Sequence, residues 1–144
     1  MIRKNFDENN NIKAGIYIRV STEQQGGDDR YGIDVQKQAI LLYANTNGYN
    51  IVDWKIDEFS GAKDDRPALN EILYDITNPP FEAVIIFKND RLARNINDLL
   101  QIVKTITEER HAEIYFIKEN LRFTDDTNNP FNKLNKLQFS FKTK

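Results

Sequence analysis

The pentapeptide Tyr17-Ile18-Arg19-Val20-Ser21 decides how the chain folds and where its chemistry is expected. Side chains of a β-strand alternate between two faces, so Tyr17, Arg19 and Ser21 project to one side. Ile18 and Val20 then anchor the other side in a core. A serine hydroxyl beside a permanent cation is a candidate nucleophile for a phosphate ester. We therefore expect a strand over residues 13–20 that presents a reactive group at its carboxyl end.

Around this strand, the chain alternates predicted strands and helices. Apolar runs and periodic stripes predict further strands at 51–59, 81–87 and 113–117 and helices at 33–47, 67–76 and 96–110. The continuous apolar run at 83–87 is typical of a strand buried on both faces. This alternation indicates an α/β domain with a mainly parallel, four- to five-stranded sheet flanked by helices.

The helical stripes predict which side chains are buried. For the first helix we expect a buried face made of Val35, Ala39, Leu42 and Tyr43. For the third we expect Leu99, Ile102, Val103 and Ile106. Gly48 is placed to end the first helix, and Pro67 suits the first turn of the second.

Size and composition narrow the class of protein. The 144 residues suit one domain, and 40% hydrophobic residues suffice for a packed core. With no cysteine there is no disulfide framework and no thiolate metal site. Residues 1–11 lack the apolar core of a signal peptide, and no run reaches the ~20 apolar residues of a membrane span. We therefore expect a cytoplasmic, metal-independent protein.

Polar side chains follow the ends of three predicted strands. Ligands of open α/β sheets bind beyond the carboxyl ends of the strands. The polar groups there are Arg19 and Ser21, then Asp57 and Arg66, then Asp90, Arg91 and Arg94. Arg91 and Arg94 are three residues apart and would share a face if they lie on a helix. One serine, several arginines and an aspartate are thus predicted to meet at one edge.

This set suits phosphoryl transfer. Guanidinium groups bind phosphate oxygens in pairs and stay charged, so they can stabilise a phosphoryl transition state. Serine attack would give a covalent phosphoester. The single histidine, His111, is far from Ser21 in sequence, so a histidine base of the serine-hydrolase kind is not indicated. The net charge of −2 means that any nucleic-acid binding must rely on the local arginine cluster.

Each candidate also has an ordinary structural interpretation. Ser21 with Gln24 fits a capping box that begins a helix. The other structural roles are a solvated helix face for Arg91 and Arg94, an N-cap for Asp90, a loop charge for Asp57 and a surface helix position for Gln36.

Together, these motifs resemble the catalytic domain of the serine recombinases, the resolvase/invertase superfamily of site-specific DNA recombinases. The matching segments are residues 17–22, 31–36, 57–61, 65–69 and 90–94, within a region of roughly 13–123. The long loop between Ser21 and Gln36, together with residues 59–61 and 65–69, is most similar to the large serine recombinase branch. That branch includes phage-type integrases and mobile-element transposases.

The resemblance implies a role for each residue. Ser21 would be the nucleophile that joins to a DNA 5′-phosphate and releases a 3′-hydroxyl. The arginines around the phosphate would be Arg19, Arg66, Arg91 and Arg94, Asp90 would assist proton transfer or hold an arginine, and the supporting residues would be Tyr17, Gln25, Gln36 and Asp57. The family exchanges strands as a tetramer that forms from dimers, with DNA as partner and without nucleotide cofactor or required catalytic metal.

The C-terminal region departs from the family pattern. A long helix that mediates dimer contacts follows the last strand in the family, and residues 129–134 resemble only its approach. We expect a flexible N-terminus at 1–12, a catalytic domain at 13–123 and an atypical or truncated tail at 124–144, with weak DNA binding. The alternative is a truncated, non-catalytic remnant that acts as an interaction or regulatory module. A different phosphoester enzyme or nucleotide-binding domain is a third, disfavoured by the lack of a Gly-rich phosphate loop.

Overall fold

The computed structural model describes residues 11–21, 32–59, 65–74, 81–89 and 92–125, with the backbone alone for Ser21 and Phe59. The elements in chain order are β1 (Ile12–Ser21), α1 (Ile33–Asn47), β2 (Tyr49–Phe59), α2 (Pro67–Tyr74), β3 (Ala83–Ile86), α3 (Ile96–Lys104), β4 (Glu113–Phe116) and β5 (Leu121–Phe123). The alternation of strand and helix confirms the α/β class. Residues 1–10 and 126–144 lie outside the described ranges, and with them most of the predicted flexible N-terminus and truncated tail.

The strands form one sheet in the order β2-β1-β3-β4-β5. β1 pairs in parallel with β2 and β3, and β3 pairs in parallel with β4. β5 is antiparallel to β4 and makes a short hairpin with it, which the sequence patterns did not assign. The mainly parallel sheet is therefore confirmed with five strands. Because β1 lies between two parallel neighbours, its carboxyl end meets those of β2 and β3 at one edge.

The two faces of the sheet carry separate cores. Tyr17, Val84 and Ile86 pack with the apolar side chains of α2 and α3 on one face. Ile16 and Ile18 pack with α1 on the opposite face. Alternation along β1 sends neighbouring residues to opposite cores, as the pentapeptide predicts. The predicted buried stripe of the third helix is confirmed, since its members are all buried: Leu99, Ile102, Val103 and Ile106.

The predicted buried face of α1 is wrong. The residues that α1 buries are Gln36, Ile40 and Ala44, spaced four apart. Val35 is 46% exposed and Leu42 is 69% exposed, while Ala39 and Tyr43 are half-buried. The stripe was built from apolar residues only, whereas the real face includes a glutamine whose amide donates to a backbone carbonyl of β1. A polar side chain that donates a hydrogen bond to the sheet can take a core position, and this one rotates the buried face of α1 by about a third of a turn.

The helix ends largely follow their sequence signals. Gly48 ends α1 in the left-handed region with φ of 79°, and its N–H donates to the carbonyl of Ala44. Pro67 begins α2 as predicted. The third helix is α-helical only to Lys104, after which Thr105–Glu109 continues as a π-helical segment. Within the described ranges, no helix combines the length and hydropathy that a bilayer crossing requires.

The corrected face of α1 can be tested by two truncations on this one helix. Ile40→Ala removes a side chain that is 0% exposed, and we expect it to lower the free energy of unfolding by about 2 to 5 kcal/mol. Leu42→Ala removes an exposed side chain and should change it by less than about 0.5 kcal/mol. Urea denaturation followed by circular dichroism measures both. Similar losses for the two variants would contradict the observed orientation of α1.

Candidate functional site

The candidate site lies at the carboxyl ends of β1 and β2. In the parallel pairing of these strands, Arg19 is opposite Asp57 and Ser21 is opposite Phe59. Ser21 is the last residue of β1, so its backbone belongs to the sheet. The capping-box interpretation of Ser21 involves Gln24, which lies outside the described residues. The register thus brings the backbone of the predicted nucleophile to the strand end that also carries Asp57.

The Asp57 carboxylate joins three elements. It is 3% exposed and accepts a hydrogen bond of 2.7 Å from the Tyr17 hydroxyl. The backbone N–H groups of Ala68 and Leu69 donate to the same carboxylate at 2.8 and 3.1 Å. These N–H groups belong to the first turn of α2, where a helix has no internal acceptors. Asp57 therefore caps α2 from the neighbouring strand, and its interpretation as a loop charge is wrong.

Tyr17 acts in this arrangement as a neutral hydrogen-bond donor. Burial raises the pKa of the Tyr17 hydroxyl, and the hydrogen bond to Asp57 and its negative charge raise it further. The positive charges of Arg19 and Arg66 offset part of this increase in pKa. The phenol therefore keeps its proton at physiological pH. It holds the Asp57 carboxylate in place rather than acting as a base.

Gln36 connects α1 to the same strand. Its side chain is 0% exposed, and its Nε2 donates to the backbone carbonyl of Arg19 at 3.2 Å. The interpretation of Gln36 as a surface helix residue is therefore wrong. The acceptor residue, Arg19, is two residues before the end of β1. This hydrogen bond fixes the position of the strand just before Ser21.

Arg66 directly precedes α2 and is held by a carboxylate from α3. Its carbonyl accepts a hydrogen bond of 3.0 Å from the N–H of Asn70. Its guanidinium binds Asp98 through two bonds, Nη1 to Oδ2 at 2.7 Å and Nη2 to Oδ1 at 3.2 Å. The side chains of Arg66 and Asp98 are only 13% and 17% exposed. This two-point, largely buried pairing is the geometry in which arginine and carboxylate interact most strongly.

Asp98 also binds Arg94. The backbone N–H of Arg94 donates to Oδ2 of Asp98 at 2.9 Å, and Nε of Arg94 lies 3.8 Å from the same oxygen. Asn95 is the N-cap of α3, and its side chain accepts from the N–H of Asp98 at 2.8 Å. Burial acts to raise the pKa of Asp98, but the hydrogen bonds and charges of Arg66 and Arg94 outweigh it and leave the pKa lowered.

The interpretation of Arg94 as part of a solvated helix face is wrong, and the condition under which Arg91 and Arg94 would share a helix face is not met. α3 begins at Ile96, so Arg94 precedes the helix and lies in a bend, with half of its side chain exposed. The N-cap of α3 is Asn95. Asp90, for which an N-cap role was the structural interpretation, lies outside the described residues, as do Arg91 and Gln25.

One residue of this site was missed by the sequence analysis. Asp98 contacts two of the predicted arginines, yet none of the motifs pointed to it. A signal was present, because Asn95 followed three residues later by an acid is the spacing of a capped helix start. Among the described residues, no group of three or more His, Cys, Asp or Glu side chains is arranged to hold a metal ion.

Comparisons with known proteins agree with this fold. The family model described as "Resolvase, N terminal domain" matches residues 14–140. The uncharacterized immunity region protein 3 of Bacillus phage phi105 is 41% identical over 69 residues, 47% of this chain and 83% of that protein. The transposon Tn21 resolvase of Escherichia coli is 39% identical over 70 residues, 49% of this chain. The chain spans only 36% of the length of that resolvase.

A solved structure is similar over most of the chain. The N-terminal catalytic domain of TP901-1 integrase superposes with a TM-score of 0.71 at 32% sequence identity. The match covers 85% of this chain and 90% of that domain. The predicted resolvase catalytic-domain-like fold is therefore confirmed.

The lowered pKa of Asp98 predicts a specific pH dependence of stability. The unfolded chain protonates Asp98 near its ordinary pKa of 3.8, whereas the folded chain does so only at lower pH. The stabilisation is therefore present above pH 3.8 and is lost as the pH falls through the lower folded value. We expect Asp98→Asn to flatten the acid side of the stability curve, measured by urea denaturation at a series of pH values. Asp34→Asn, which removes an acid from the first turn of α1, serves as control. An unchanged curve for Asp98→Asn would contradict the pairing.

Proposed function

Because this chain belongs to the resolvase N-terminal domain family, whose model matches residues 14–140, we propose that it is the catalytic domain of a serine-type site-specific DNA recombinase. The observation that carries the proposal is the meeting of β1 and β2 at one sheet edge, with Asp57 and Arg66 anchored beside the strand that ends at Ser21. Similarity to a transposon resolvase and to an integrase catalytic domain supports it.

In the proposed reaction, Ser21 is the nucleophile. Its hydroxyl gives up a proton, and Oγ forms a bond to the phosphorus of a DNA phosphodiester. The bond from phosphorus to the 3′ oxygen breaks, and that oxygen takes a proton to leave as a 3′-hydroxyl. The DNA 5′-phosphate is then held as a phosphoserine ester, and attack by another 3′-hydroxyl reverses the step and rejoins the strand.

Arginines supply the charge that the transferring phosphoryl group needs. Arg19, Arg66 and Arg94 belong to segments around the carboxyl end of β1, and Arg91 joins them by family resemblance. Guanidinium groups aimed at the equatorial oxygens stabilise the charge that these oxygens carry in the transition state. Asp90 is proposed to assist proton transfer or to hold an arginine.

The buried polar residues are proposed to keep the strand end rigid. Tyr17 and Gln36 fix β1 from its two faces, and Asp57 fixes α2, whose first residue follows Arg66. Gln25 is proposed as a further supporting residue by resemblance. A nucleophile and its phosphate must be held within fractions of an ångström for efficient reaction, so these contacts matter for rate.

DNA is the proposed partner, and this domain alone is proposed to bind it weakly. The chain has 20 Lys and Arg side chains, but 22 Asp and Glu side chains outnumber them, so the domain has no overall positive charge to attract phosphates. Assembly into dimers and tetramers is proposed by resemblance to the family. Residues 13–123 are proposed as the catalytic unit. A cytoplasmic location is proposed because the DNA substrate is found there.

Replacement of the nucleophile tests the function. The chain is incubated at high micromolar concentration with a pool of nicked duplexes of randomised sequence, so that strand cleavage next to the nick traps the covalent product. We expect a protein–DNA adduct that peptide mass spectrometry places at Ser21. Ser21→Ala should form none, because alanine has no hydroxyl to attack phosphorus.

Ser140→Ala is the matched control, since it removes a serine outside the proposed catalytic unit at 13–123. It should form the adduct at the rate of the unmodified chain. An adduct formed by Ser21→Ala would show that the nucleophile is wrongly assigned. Absence of any adduct from the unmodified chain would count against catalysis and favour the non-catalytic interaction module.

A further inference from the structure

The Asp98 carboxylate brings two predicted phosphate-binding residues to a common point. It takes two of the five N–H donors of the Arg66 guanidinium, at 2.7 and 3.2 Å. It also accepts the backbone N–H of Arg94 at 2.9 Å. Arg66 directly precedes α2 and Arg94 precedes α3, so Asp98 sets the spacing between the starts of two helices.

The position of Asp98 is itself firmly set. Its own N–H donates to the Asn95 side chain at 2.8 Å, which places it in the capped first turn of α3. α3 packs on the sheet through Leu99 and Val103, which are 0% exposed. A carboxylate that is held on a packed and capped helix in this way immobilises a long arginine side chain, which otherwise samples many rotamers.

We propose that Asp98 is a positioning residue for phosphoryl transfer, which holds Arg66 and the Arg94 backbone in the geometry that the transition state requires. This inference rests on the proposed recombinase function. Asp98 carries a negative charge beside the phosphate site, so it opposes the binding of DNA by simple electrostatics. Its contribution must therefore come through orientation of the arginines and appear in the rate of the chemical step.

Loss of the Asp98 charge should therefore not weaken DNA binding, but it should slow the chemical step. Asp98→Asn keeps the size and a neutral acceptor but removes one negative charge near the phosphate. DNA affinity should stay equal or become up to about 3-fold tighter, because a nearby repulsive charge is gone. The rate of adduct formation at saturating DNA should fall about 10- to 100-fold, since Arg66 is no longer oriented. A role only in folding would instead lower both quantities.

The experiment measures single-turnover adduct formation over a range of concentrations of the nicked duplex pool, well below the melting temperature of every variant. Asp98→Asn is compared with the unmodified chain and with Glu109→Gln, a matched control that removes an exposed carboxylate at the far end of the helical segment that begins with α3. The control should leave the rate at saturation and the half-saturating concentration unchanged. A wild-type rate for Asp98→Asn, or a loss confined to affinity, would overturn the inference.

A double-mutant cycle tests whether Asp98 acts through Arg66. Lysine cannot make the two-point contact, so in an Arg66→Lys background Asp98→Asn should cost less than about 3-fold in rate. The same cost in both backgrounds would overturn the inference.

A separate measurement distinguishes failure of this inference from failure of the proposed function. If the unmodified chain forms no adduct, the recombinase assignment fails. Asp98 is then judged by nitrogen-15-edited NMR of the Arg66 Nε–H in the free chain. A signal that is present in the unmodified chain and lost in Asp98→Asn supports immobilisation by Asp98. An equally sharp signal in both overturns it.

Discussion

The Asp57 carboxylate imposes the constraint on which the rest of the site depends. A carboxylate that is 3% exposed is strongly destabilising unless hydrogen bonds satisfy it. The donors come from Tyr17 in β1 and from the first turn of α2. Asp57 can be satisfied only when two strands and a helix are assembled in one geometry. That geometry places Arg66, the residue before α2, beside the strand that ends at Ser21.

Hydrogen bonds and ion pairs also fix the residues that lie beyond the sheet edge. Arg66 is fixed at its backbone by the start of α2 and at its guanidinium by Asp98 of α3. Asp98 in turn holds the backbone of Arg94. The positive ends of the two helices are thus each matched by an acidic side chain, Asp57 at α2 and Asp98 at α3. Stability of the fold and placement of the arginines depend on the same few contacts.

Local patterns predicted the fold better than the site. Strand alternation and the apolar run at 83–87 depend on neighbouring residues, so they could be predicted from the sequence. Burial of Gln36 could not, because its partner is a carbonyl 17 residues away. The apolar rule alone selected the exposed Leu42 instead. Asp57 was located by its place near the end of a predicted strand, but its capping role depends on the packing of α2. Asp98 had a capping signature, yet its pairing with Arg66 spans 32 residues.

The strand order has a consequence for synthesis of the chain. Among the described strands β1 is made first, but it occupies an interior position with β2 on one side and β3 on the other. β2 follows closely, whereas β3 begins only at Ala83. On the ribosome, one edge of the strand that ends at Ser21 therefore stays open until β3, about 60 residues further along the chain, has been translated. An apolar strand with an open edge is prone to wrong pairing, so the nascent chain is most vulnerable to aggregation during this interval.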